Sequence, residues 1–372
     1  MKIKYAKMRV LIFISSFSRG GAARVTSTLC KEMIESGYEV HIATNTESSS
    51  IFYQLPETIM LHPFHIKKTK SGIWESVKLN INYCKLVHQI VRAVKPDVII
   101  GVEPRVYLYT KLGSIGYNAP VIACDHTSFC RKQDFITNFI RYKFYGTADA
   151  LTILTKKDSD LLGKKFPNKR VIYNPLSFPV LDYPTTRQQN ILCAGRLDVW
   201  HIKGFDIILE CWQSISERYP DWILEIAGDG SDEATLHLKQ AIDEKGLTGR
   251  VVLLGQVENM KDKLAQTSIF ALPSRVEGFP MVLMEAMSQG CACIAYEVGG
   301  AIPEMMTNNV DGIIVKDLDI QAFTEGLSKL IENQTLREDL SANAITSVQR
   351  FSPKSFMASW NELLNQLVNQ KH

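Results

Sequence analysis

Short apolar runs alternate with longer helical patterns along most of this sequence, and the alternation is interrupted once by a polar stretch rich in proline. Runs such as Val10–Ile14 and Val98–Val102 have the length of strands. Between them, Trp74–Val94 places an apolar residue at every third or fourth position, which is typical of a helix with one buried face. Alternating strands and helices predict an α/β chain in which helices connect parallel strands.

The alternation divides the chain into two parts. Six strands are predicted in the first part, at Val10–Ile14, Glu39–Ala43, Val98–Val102, Val121–Cys124, Ala150–Leu154 and Val171–Tyr173. Six more are predicted in the second, at Asn190–Ala194, Trp222–Ala227, Val251–Leu254, Ile269–Leu272, Cys293–Tyr296 and Ile313–Val315. We therefore predict one doubly wound domain at 1–175, a linker at 176–189, a second doubly wound domain at 190–352 and a final amphipathic helix at 353–372.

Charge separates the same two parts. The formal net charge of +3 hides 26 Lys and Arg against 13 Asp and Glu before Leu176, and 16 against 26 from there on. Such asymmetry suggests different partners for the two domains. The eight cysteines lack metal-binding spacing and indicate reduced thiols in a cytosolic protein. No apolar run has the length of a membrane span.

Two candidate sites lie in the first part, each directly after a predicted strand. Gly20 and Gly21 stand between a strand and a helix, where small residues and free helix N–H groups suit a phosphate; a plain tight turn explains them equally well. His126 follows Val121–Cys124 and is a candidate for the chemistry of the site. The alternative is a histidine held by structural hydrogen bonds.

The second part offers two cations after its first strand. Arg196 follows that strand, and Lys203 precedes the next helix. Together they could hold a diphosphate and neutralise its charge as it leaves. The alternative is a solvated pair on the surface.

The segment 273–290 carries the most specific pattern. Glu277 precedes a predicted helix whose first position suits Pro280, and Glu285 lies in the second turn. Gly278 suits a tight turn before the helix, and Gly290 suits its stop. Carboxylates accept hydrogen bonds from sugar hydroxyls, and a helix N-terminus accepts phosphate. A lone glutamate here could simply favour the helix dipole, but the pair is more specific.

Taken together, these motifs resemble glycosyltransferase family 4, the retaining nucleotide-sugar transferases of the GT-B fold. The likeness extends over nearly the whole chain: Gly20 to Val25, His126, Gly195 to Leu197, Lys203 to Phe205, Ala227 to Gly230, Gly255 to Val257, and the segment with Glu277 and Glu285. The resemblance implies two Rossmann-like domains that face each other across a cleft. The first, on which the final helix would pack, would bind the acceptor, and the second would bind the donor.

The resemblance also implies roles for single residues. Glu285 would bind the ribose hydroxyls and the backbone at Val257 the base. Arg196 and Lys203 would hold the diphosphate, and His126 and Glu277 would contact the donor sugar. The donor would also be bound by Gly20, Gly21, Gly278, Phe279, Pro280, Met281 and Val282.

Two departures from the family pattern put parts of this assignment in doubt. The segment 198–202 is about two residues longer than usual, which affects Lys203. Ala23 stands where an acidic residue is common.

No metal or cofactor is expected. Asp158-Ser159-Asp160 looks like a helix start, and Asp317-Leu318-Asp319 precedes a late surface helix.

The basic first domain is expected to have a partner of its own. Between Phe129 and Tyr145, four basic residues are interleaved with apolar ones: Arg131, Lys132, Arg141 and Lys143 alternate with Phe135, Ile136, Phe139, Ile140 and Phe144. This arrangement suits a helix lying on an anionic membrane. The alternative is a helix packed on its own sheet. A nucleic acid is not expected, since no base-stacking module accompanies the charge.

We therefore expect a metal-independent retaining transferase. It would move a hexose, with a UDP-sugar as the expected donor, to a hydroxyl of a lipid-linked or surface-polysaccharide acceptor, at the inner face of the cytoplasmic membrane. The alternatives are a GDP-mannose-type mannosyltransferase, a GT-B sugar-nucleotide epimerase or hydrolase, and a non-catalytic peripheral glycan-binding protein.

Overall fold

The computed structural model describes residues 7–18, 20–47, 50–64, 73–131, 133–182, 185–316 and 318–369. The chain divides into two compact units, one comprising 1–175 with 353–372 and the other 176–352. The side chains of Trp74 and Val77, which the sequence places on a helical stripe, lie outside the described residues.

The first unit contains a parallel sheet of seven strands in the order β3-β2-β1-β4-β5-β6-β7. The strands are β1 (Arg9–Ile14), β2 (Glu39–Thr44), β3 (Met60–Pro63), β4 (Val98–Val102), β5 (Val121–Cys124), β6 (Ala150–Ile153) and β7 (Lys169–Val171). The helices are α1 (Gly21–Glu35), α2 (Ile73–Val94), α3 (Pro104–Gly113), α4 (Phe135–Lys143) and α5 (Lys156–Leu162), and the last helix of the chain, α14 (Pro353–Asn369), also belongs here.

The second unit contains a parallel sheet of six strands in the order β10-β9-β8-β11-β12-β13. Its strands are β8 (Gln188–Ala194), β9 (Ile223–Ala227), β10 (Val251–Gly255), β11 (Thr267–Leu272), β12 (Ala292–Tyr296) and β13 (Ile313–Val315). Its helices are α6 (Trp200–Lys203), α7 (Phe205–Ile215), α8 (Asp232–Glu244), α9 (Met260–Gln266), α10 (Met281–Ser288), α11 (Ala301–Met305), α12 (Ile320–Glu332) and α13 (Gln334–Val348).

The prediction of two doubly wound parallel sheets is confirmed, and several strands differ from the sequence-based assignment. The edge strand β3 was missed, because its four residues include His62 and Pro63 and none of them is buried. β7 comprises Lys169–Val171 instead of Val171–Tyr173. β8 begins at Gln188, so the end of the predicted linker already belongs to the sheet.

Helix α14 packs on the first unit through its apolar face. Phe356, Trp360 and Leu364 are buried there, and the Tyr38 hydroxyl donates a 2.6 Å hydrogen bond to Asn361 Oδ1. Because β4 and β5 are buried along their whole length, and β1 at every residue after Arg9, their side chains require cover on both faces of the sheet.

Helix α4 corrects the interpretation of the basic segment. Arg141 is only 1% exposed and donates Nε and Nη2 to the two oxygens of Asp125, at 2.8 and 2.9 Å. The Tyr145 hydroxyl donates to the same carboxylate at 2.9 Å. Arg141 therefore cannot contact a lipid headgroup, and the interpretation of this side chain as lipid-facing is wrong. Lys132 lies outside the described residues.

The buried pair predicts a large stability effect at Arg141. The substitution Arg141→Met leaves the Asp125 carboxylate buried without its cation, and this should lower the free energy of unfolding by about 3–5 kcal/mol. Thermal and urea unfolding of the purified chain measure the change. Lys143→Met on the exposed side of the same helix is the matched control. Equal, small effects of the two substitutions would contradict a structural role for Arg141.

Candidate active site

The candidate residues of the second unit lie where the strand order of its sheet reverses. β8 and β11 are neighbours in the sheet, although β9 and β10 lie between them in the chain. Gly195 and Arg196 follow β8, and the loop from Pro273 to Glu277 follows β11. In open parallel sheets, ligands bind outside the carboxyl ends of the strands at such a switch point.

Lys203 and Glu277 form an ion pair at this switch point. Lys203 Nζ lies 2.8 Å from Glu277 Oε1, and the side chains are 23% and 8% exposed. Gly195 leaves room for the lysine, because a Cβ at this position would stand 2.9 Å from Lys203 Cγ. Two residues that the sequence assigned to different parts of a donor are therefore in contact with each other.

The loops that carry this pair are bound to one another. Arg275 donates to both oxygens of Asp206 at 2.7 Å and to the carbonyl of His201 at 2.6 Å. Burial opposes ionisation of Asp206, but the bonds and charge of Arg275 prevail and lower the pKa of Asp206. Gly204 has a φ of 69°, and a Cβ there would stand 1.9 Å from the carbonyl oxygen of Pro273. Only glycine fits this crossing of the two loops.

Arg196 and Val257 follow two different strands, at the edge where the strands of this sheet end. Arg196 is exposed directly after β8, and Val257 is half-buried in the loop after β10. Hydrogen bonds from Ser231 lower the pKa of Asp198, and the charge of Arg196 acts in the same direction. The longer segment that the sequence singled out begins in a 3-10 turn at Leu197–Val199 and continues as the short helix α6, which ends at Lys203.

Helix α10 begins one residue later than predicted. Pro280 is the N-cap and Met281 the first helical residue, and no side chain caps the N-terminus. Gly278 and Phe279 form the bend before it, and Phe279 packs edge-on against Phe351 at 5.6 Å between ring centres. Met281 and Val282 are half-buried. The free N–H groups of this first turn can bind an anion.

Glu285 is buried in the second turn of α10 and is 2% exposed. Ser177 Oγ donates a 2.6 Å hydrogen bond to its Oε1. The segment that the sequence described only as a linker therefore orients this carboxylate. Gly290, with a φ of 70°, follows the end of the helix as predicted.

The candidates of the first unit lie at the corresponding edge of its sheet. Gly20 is the N-cap of α1 and Gly21 its first residue, without a side-chain cap. A Cβ on either glycine would meet no atom within 4 Å, so packing within the described residues does not explain the two glycines. Ala23 is buried, which does not suit contact with an acceptor. Glu103 follows β4 with a φ of 75° and accepts a 2.6 Å hydrogen bond from Ser15 Oγ.

His126 follows β5 and turns its ring towards the interior of the first unit. Its Nδ1 is buried without a hydrogen-bond partner, and its Nε2 lies 3.4 Å from Cys124 Sγ. Burial lowers the pKa of His126, although the Asp125 charge and the Asn174 side chain act in the opposite direction. The imidazole is therefore held in its neutral form at neutral pH.

The two acidic motifs have structural roles where they are described. Asp158 is buried in the first turn of α5 and accepts hydrogen bonds from Thr155 and Ser128. Asp319 caps α12, while Asp317 lies outside the described residues. Among the described residues, no cluster of three or more His, Cys, Asp or Glu could hold a metal ion. None of the helices described has the length and apolar character needed to cross a membrane.

Two models of known protein families match the sequence that forms this geometry. The family model described as Glycosyltransferase Family 4 matches residues 19–177, and the model described as Glycosyl transferases group 1 matches residues 188–333. Together they cover most of the chain, including every candidate residue. This chain belongs to glycosyltransferase family 4. It is therefore an enzyme that transfers glycosyl groups, and the predicted family is confirmed.

Full-length relatives of this glycosyltransferase support the assignment. It is 25% identical to the amylovoran biosynthesis glycosyltransferase AmsD of Erwinia amylovora, over 96% of this chain and 99% of that protein. It is 24% identical, over 97% and 99% of the two chains, to an α-1,4-N-acetyl-D-galactosaminyltransferase of Campylobacter jejuni. The name of that enzyme gives its acceptor as a glycan on undecaprenyl diphosphate.

Solved structures show that this glycosyltransferase has the GT-B fold. Sucrose-phosphate synthase from Thermosynechococcus elongatus matches with a TM-score of 0.82 at 15% identity, over 98% of this chain and all of that one. HepE from Anabaena, solved in complex with UDP and glucose, matches with a TM-score of 0.79 at 17% identity, over 97% and 100% of the two chains.

Sequence reasoning missed several residues that shape the site of this enzyme. Ser177 was assigned to a linker, and Asp125 was passed over beside His126. Glu103 could have been found, because an acidic residue directly after a buried strand and before proline is a recognisable signal. Arg275 and Asp206 carry no such signal, since their pairing depends on the fold.

The lowered pKa of His126 predicts a contribution to acid sensitivity. As pH falls below about 6.5, the unfolded chain binds this proton before the folded chain does. Stability from neutral His126 is therefore present above that pH and is lost as pH falls through the folded-state pKa. Thermal unfolding of the wild type and His126→Asn between about pH 7.5 and 5 should show a smaller acid-induced loss in the variant. The exposed His201, changed to Asn, is the control. A pH-independent difference between wild type and His126→Asn would contradict the prediction.

Proposed function

We propose that this glycosyltransferase transfers a hexosyl unit from a nucleoside diphosphate sugar, with UDP as the preferred nucleotide, to a hydroxyl of a lipid-linked or surface-polysaccharide glycan. The transfer retains the anomeric configuration and needs no metal ion. The first unit binds the acceptor and the second unit binds the donor.

One observation carries the donor assignment. At the switch point of the second sheet, Arg196, the Lys203–Glu277 pair and the uncapped N-terminus of α10 lie at the same edge. Cations and free N–H groups bind a diphosphate and stabilise the charge that it gains on leaving, which is the task that Mg²⁺ performs in other transferases. A bound diphosphate would pair with Lys203 in place of Glu277. The Glu277 carboxylate would then accept a hydrogen bond from a sugar hydroxyl.

The names of the relatives support the acceptor and donor classes. AmsD takes part in amylovoran biosynthesis, and the Campylobacter enzyme extends a glycan on undecaprenyl diphosphate. HepE was solved with UDP and glucose. These names favour UDP over GDP and a growing glycan over a free sugar as the acceptor.

The proposed chemistry requires little from a protein base. The acceptor oxygen forms a bond to the anomeric carbon, and the bond from that carbon to the diphosphate breaks with its electron pair on the leaving oxygen. The diphosphate departs on the face where the acceptor enters, so it can take the proton of the acceptor hydroxyl. Positioning and electrostatic stabilisation are then the contributions of the enzyme.

Nucleotide binding tests the donor assignment. Thermal-shift titrations with UDP, GDP, ADP and their sugars should show the largest stabilisation by UDP compounds. The substitution Glu285→Ala removes hydrogen bonds to the ribose worth about 1.5–3 kcal/mol, which corresponds to roughly 10- to 100-fold weaker binding. Glu285→Gln, which keeps the shape of this buried side chain, separates loss of binding from loss of folding.

The matched control is Glu244→Ala, an exposed position at the end of α8. Unchanged UDP binding in both Glu285 variants would refute the role of this residue. Turnover of the preferred sugar nucleotide in EDTA should equal turnover without it, and a requirement for added metal would refute the metal-free route. Free sugar or an epimer as the main product would favour the epimerase or hydrolase instead.

We also propose that the exposed face of α4 contacts an anionic membrane. Phe135, Ile136, Phe139 and Tyr142 are 82%, 54%, 47% and 44% exposed along one side of this helix. Arg131 and Lys143 are exposed near it, and Lys165 Nζ lies 6.0 Å from the ring centre of Tyr142. Apolar rings surrounded by cations suit insertion between anionic headgroups.

Vesicle binding tests this surface. The double substitution Phe135→Ser with Phe139→Ser should weaken the affinity for phosphatidylglycerol-containing vesicles at least tenfold, as measured by sedimentation. The reason is that the variant loses the free energy of burying two aromatic rings in the membrane. Leu236→Ser, at a similarly exposed apolar side chain of the second unit, is the control. Equal binding of the double variant and the wild type, or equal binding to purely zwitterionic vesicles, would contradict the proposal.

A further inference from the structure

A small cavity lies behind His126 in the first unit. Its lining includes polar side chains from α1, from the segment between β5 and the residues after β7, and from the last helix. Among them, Thr26 already donates to the carbonyl of Ala22, while His126, Thr152, Asn174 and Trp360 face the same space. We call it the His126 cavity. The cavity volume is about 10 Å³. This is close to the smallest volume that can hold one water molecule.

Four unpaired polar atoms are concentrated around this cavity. Seven buried side-chain nitrogen or oxygen atoms of the described residues have no hydrogen-bond partner, and four of them belong to its lining: His126 Nδ1, Thr152 Oγ1, Asn174 Oδ1 and Trp360 Nε1. The last three residues are 3%, 5% and 2% exposed. Buried polar atoms without a partner are costly, so their concentration here indicates one shared partner.

Asn174 already acts on His126 without binding it in normal geometry. Its side chain is near enough to favour the protonated imidazole. However, neither His126 Nδ1 nor Asn174 Oδ1 has a hydrogen bond of acceptable distance and angle. A small polar group within reach of both atoms would give each of them a hydrogen-bond partner.

The hydrogen-bonding capacity of the four atoms matches a water molecule. Trp360 Nε1 can only donate and Asn174 Oδ1 can only accept, while the threonine hydroxyl and the imidazole nitrogen can do either. A water molecule accepts two hydrogen bonds and donates two. If the Thr152 hydroxyl accepts one hydrogen bond from the water, Asn174 Oδ1 accepts the other that the water can donate. The water then accepts one hydrogen bond from Trp360 Nε1, and His126 Nδ1 must donate the second.

The contact of the other ring nitrogen is compatible with the same tautomer. His126 Nε2 lies 3.4 Å from Cys124 Sγ, and burial keeps that thiol protonated by raising its pKa to about 12. A protonated thiol is a weak donor that needs an acceptor. Nε2 can accept from it only while Nδ1 carries the ring proton.

We propose that one water molecule binds in the His126 cavity and holds His126 as the neutral tautomer protonated at Nδ1. The water accepts hydrogen bonds from His126 Nδ1 and Trp360 Nε1, and it donates to Asn174 Oδ1 and Thr152 Oγ1. Asn174 and Trp360 are positioning residues, which act on the substrate only through His126. The importance of this arrangement for transfer rests on the proposed function and on the expected contact between His126 and the donor sugar, in which a sugar hydroxyl would replace the Cys124 thiol as the donor to Nε2.

Histidine side-chain NMR tests the water and the tautomer without substrate. Long-range ¹H–¹⁵N spectra of the ¹⁵N-histidine-labelled full chain, assigned with His126→Gln, should show Nδ1 protonated and Nε2 unprotonated. Trp360→Phe keeps an aromatic ring and removes one donor, so the His126 signals should shift or report a mixture of tautomers. Phe356→Leu, which lines the same cavity without a polar atom, should leave the tautomer unchanged.

Several outcomes would overturn the proposal. They are protonation at Nε2 in the wild type, unchanged His126 signals in a folded Trp360→Phe chain, or a crystal structure in which the cavity is dry. Because Trp360 is buried, Asn174→Asp provides a second variant, whose added negative charge should raise the measured pKa of His126. An unchanged His126 pKa in that folded variant would also count against the water-bridged contact.

Transfer assays separate this inference from the proposed function. If both hold, Trp360→Phe should lower kcat about tenfold, the size of effect known for outer partners of functional histidines at metal sites, with the donor KM unchanged. If the NMR result holds but His126→Gln transfers sugar at the normal rate, the role of His126 in catalysis is wrong and the water site stands.

Discussion

All strands within each sheet run in the same direction, and this constraint determines the rest of the structure. Parallel strands need crossover connections, so helices cover both faces and the strands become apolar throughout. All strands then end at one edge, where the loops that follow them meet. In the second unit this edge brings Lys203 and Glu277 into contact, although 74 positions separate them in the chain. The site is therefore a consequence of strand direction and strand order.

This dependence explains how much could be predicted from the sequence. The buried strands have near-continuous apolar runs, so eleven of the thirteen strands were recognised close to their observed bounds, β7 was displaced and β3 was missed. The edge strand lacks the burial that produces such a pattern. Residues directly after strands, such as Arg196 and His126, could be selected because the topology allows only one place for them. Their roles in binding stay predictions.

Side-chain pairing could not be predicted, because it depends on distances that the sequence does not contain. Arg141 looks like one of several cations on an amphipathic helix, yet Asp125 draws it into the core from the end of the neighbouring strand. Because Arg141 is buried, it is not part of the basic surface, and Arg131, Lys143 and Lys165 are the cations named around the exposed rings. Ser177 is a similar case, since nothing in a proline-rich polar stretch indicates that a serine orients Glu285.

The loop after β5 shows how a buried charge and a neutral ring can stand side by side. The Asp125 carboxylate accepts hydrogen bonds from Arg141, from the Tyr145 hydroxyl and from the backbone N–H of Thr127, so its charge is fully compensated on that side. Burial nevertheless outweighs the effect of this charge on His126 and lowers the pKa of the imidazole. A neutral imidazole can orient a hydroxyl but supplies no cation for the leaving diphosphate. In the proposed function that task belongs to Arg196, Lys203 and the N-terminus of α10 in the second unit, and the diphosphate itself accepts the proton of the acceptor hydroxyl.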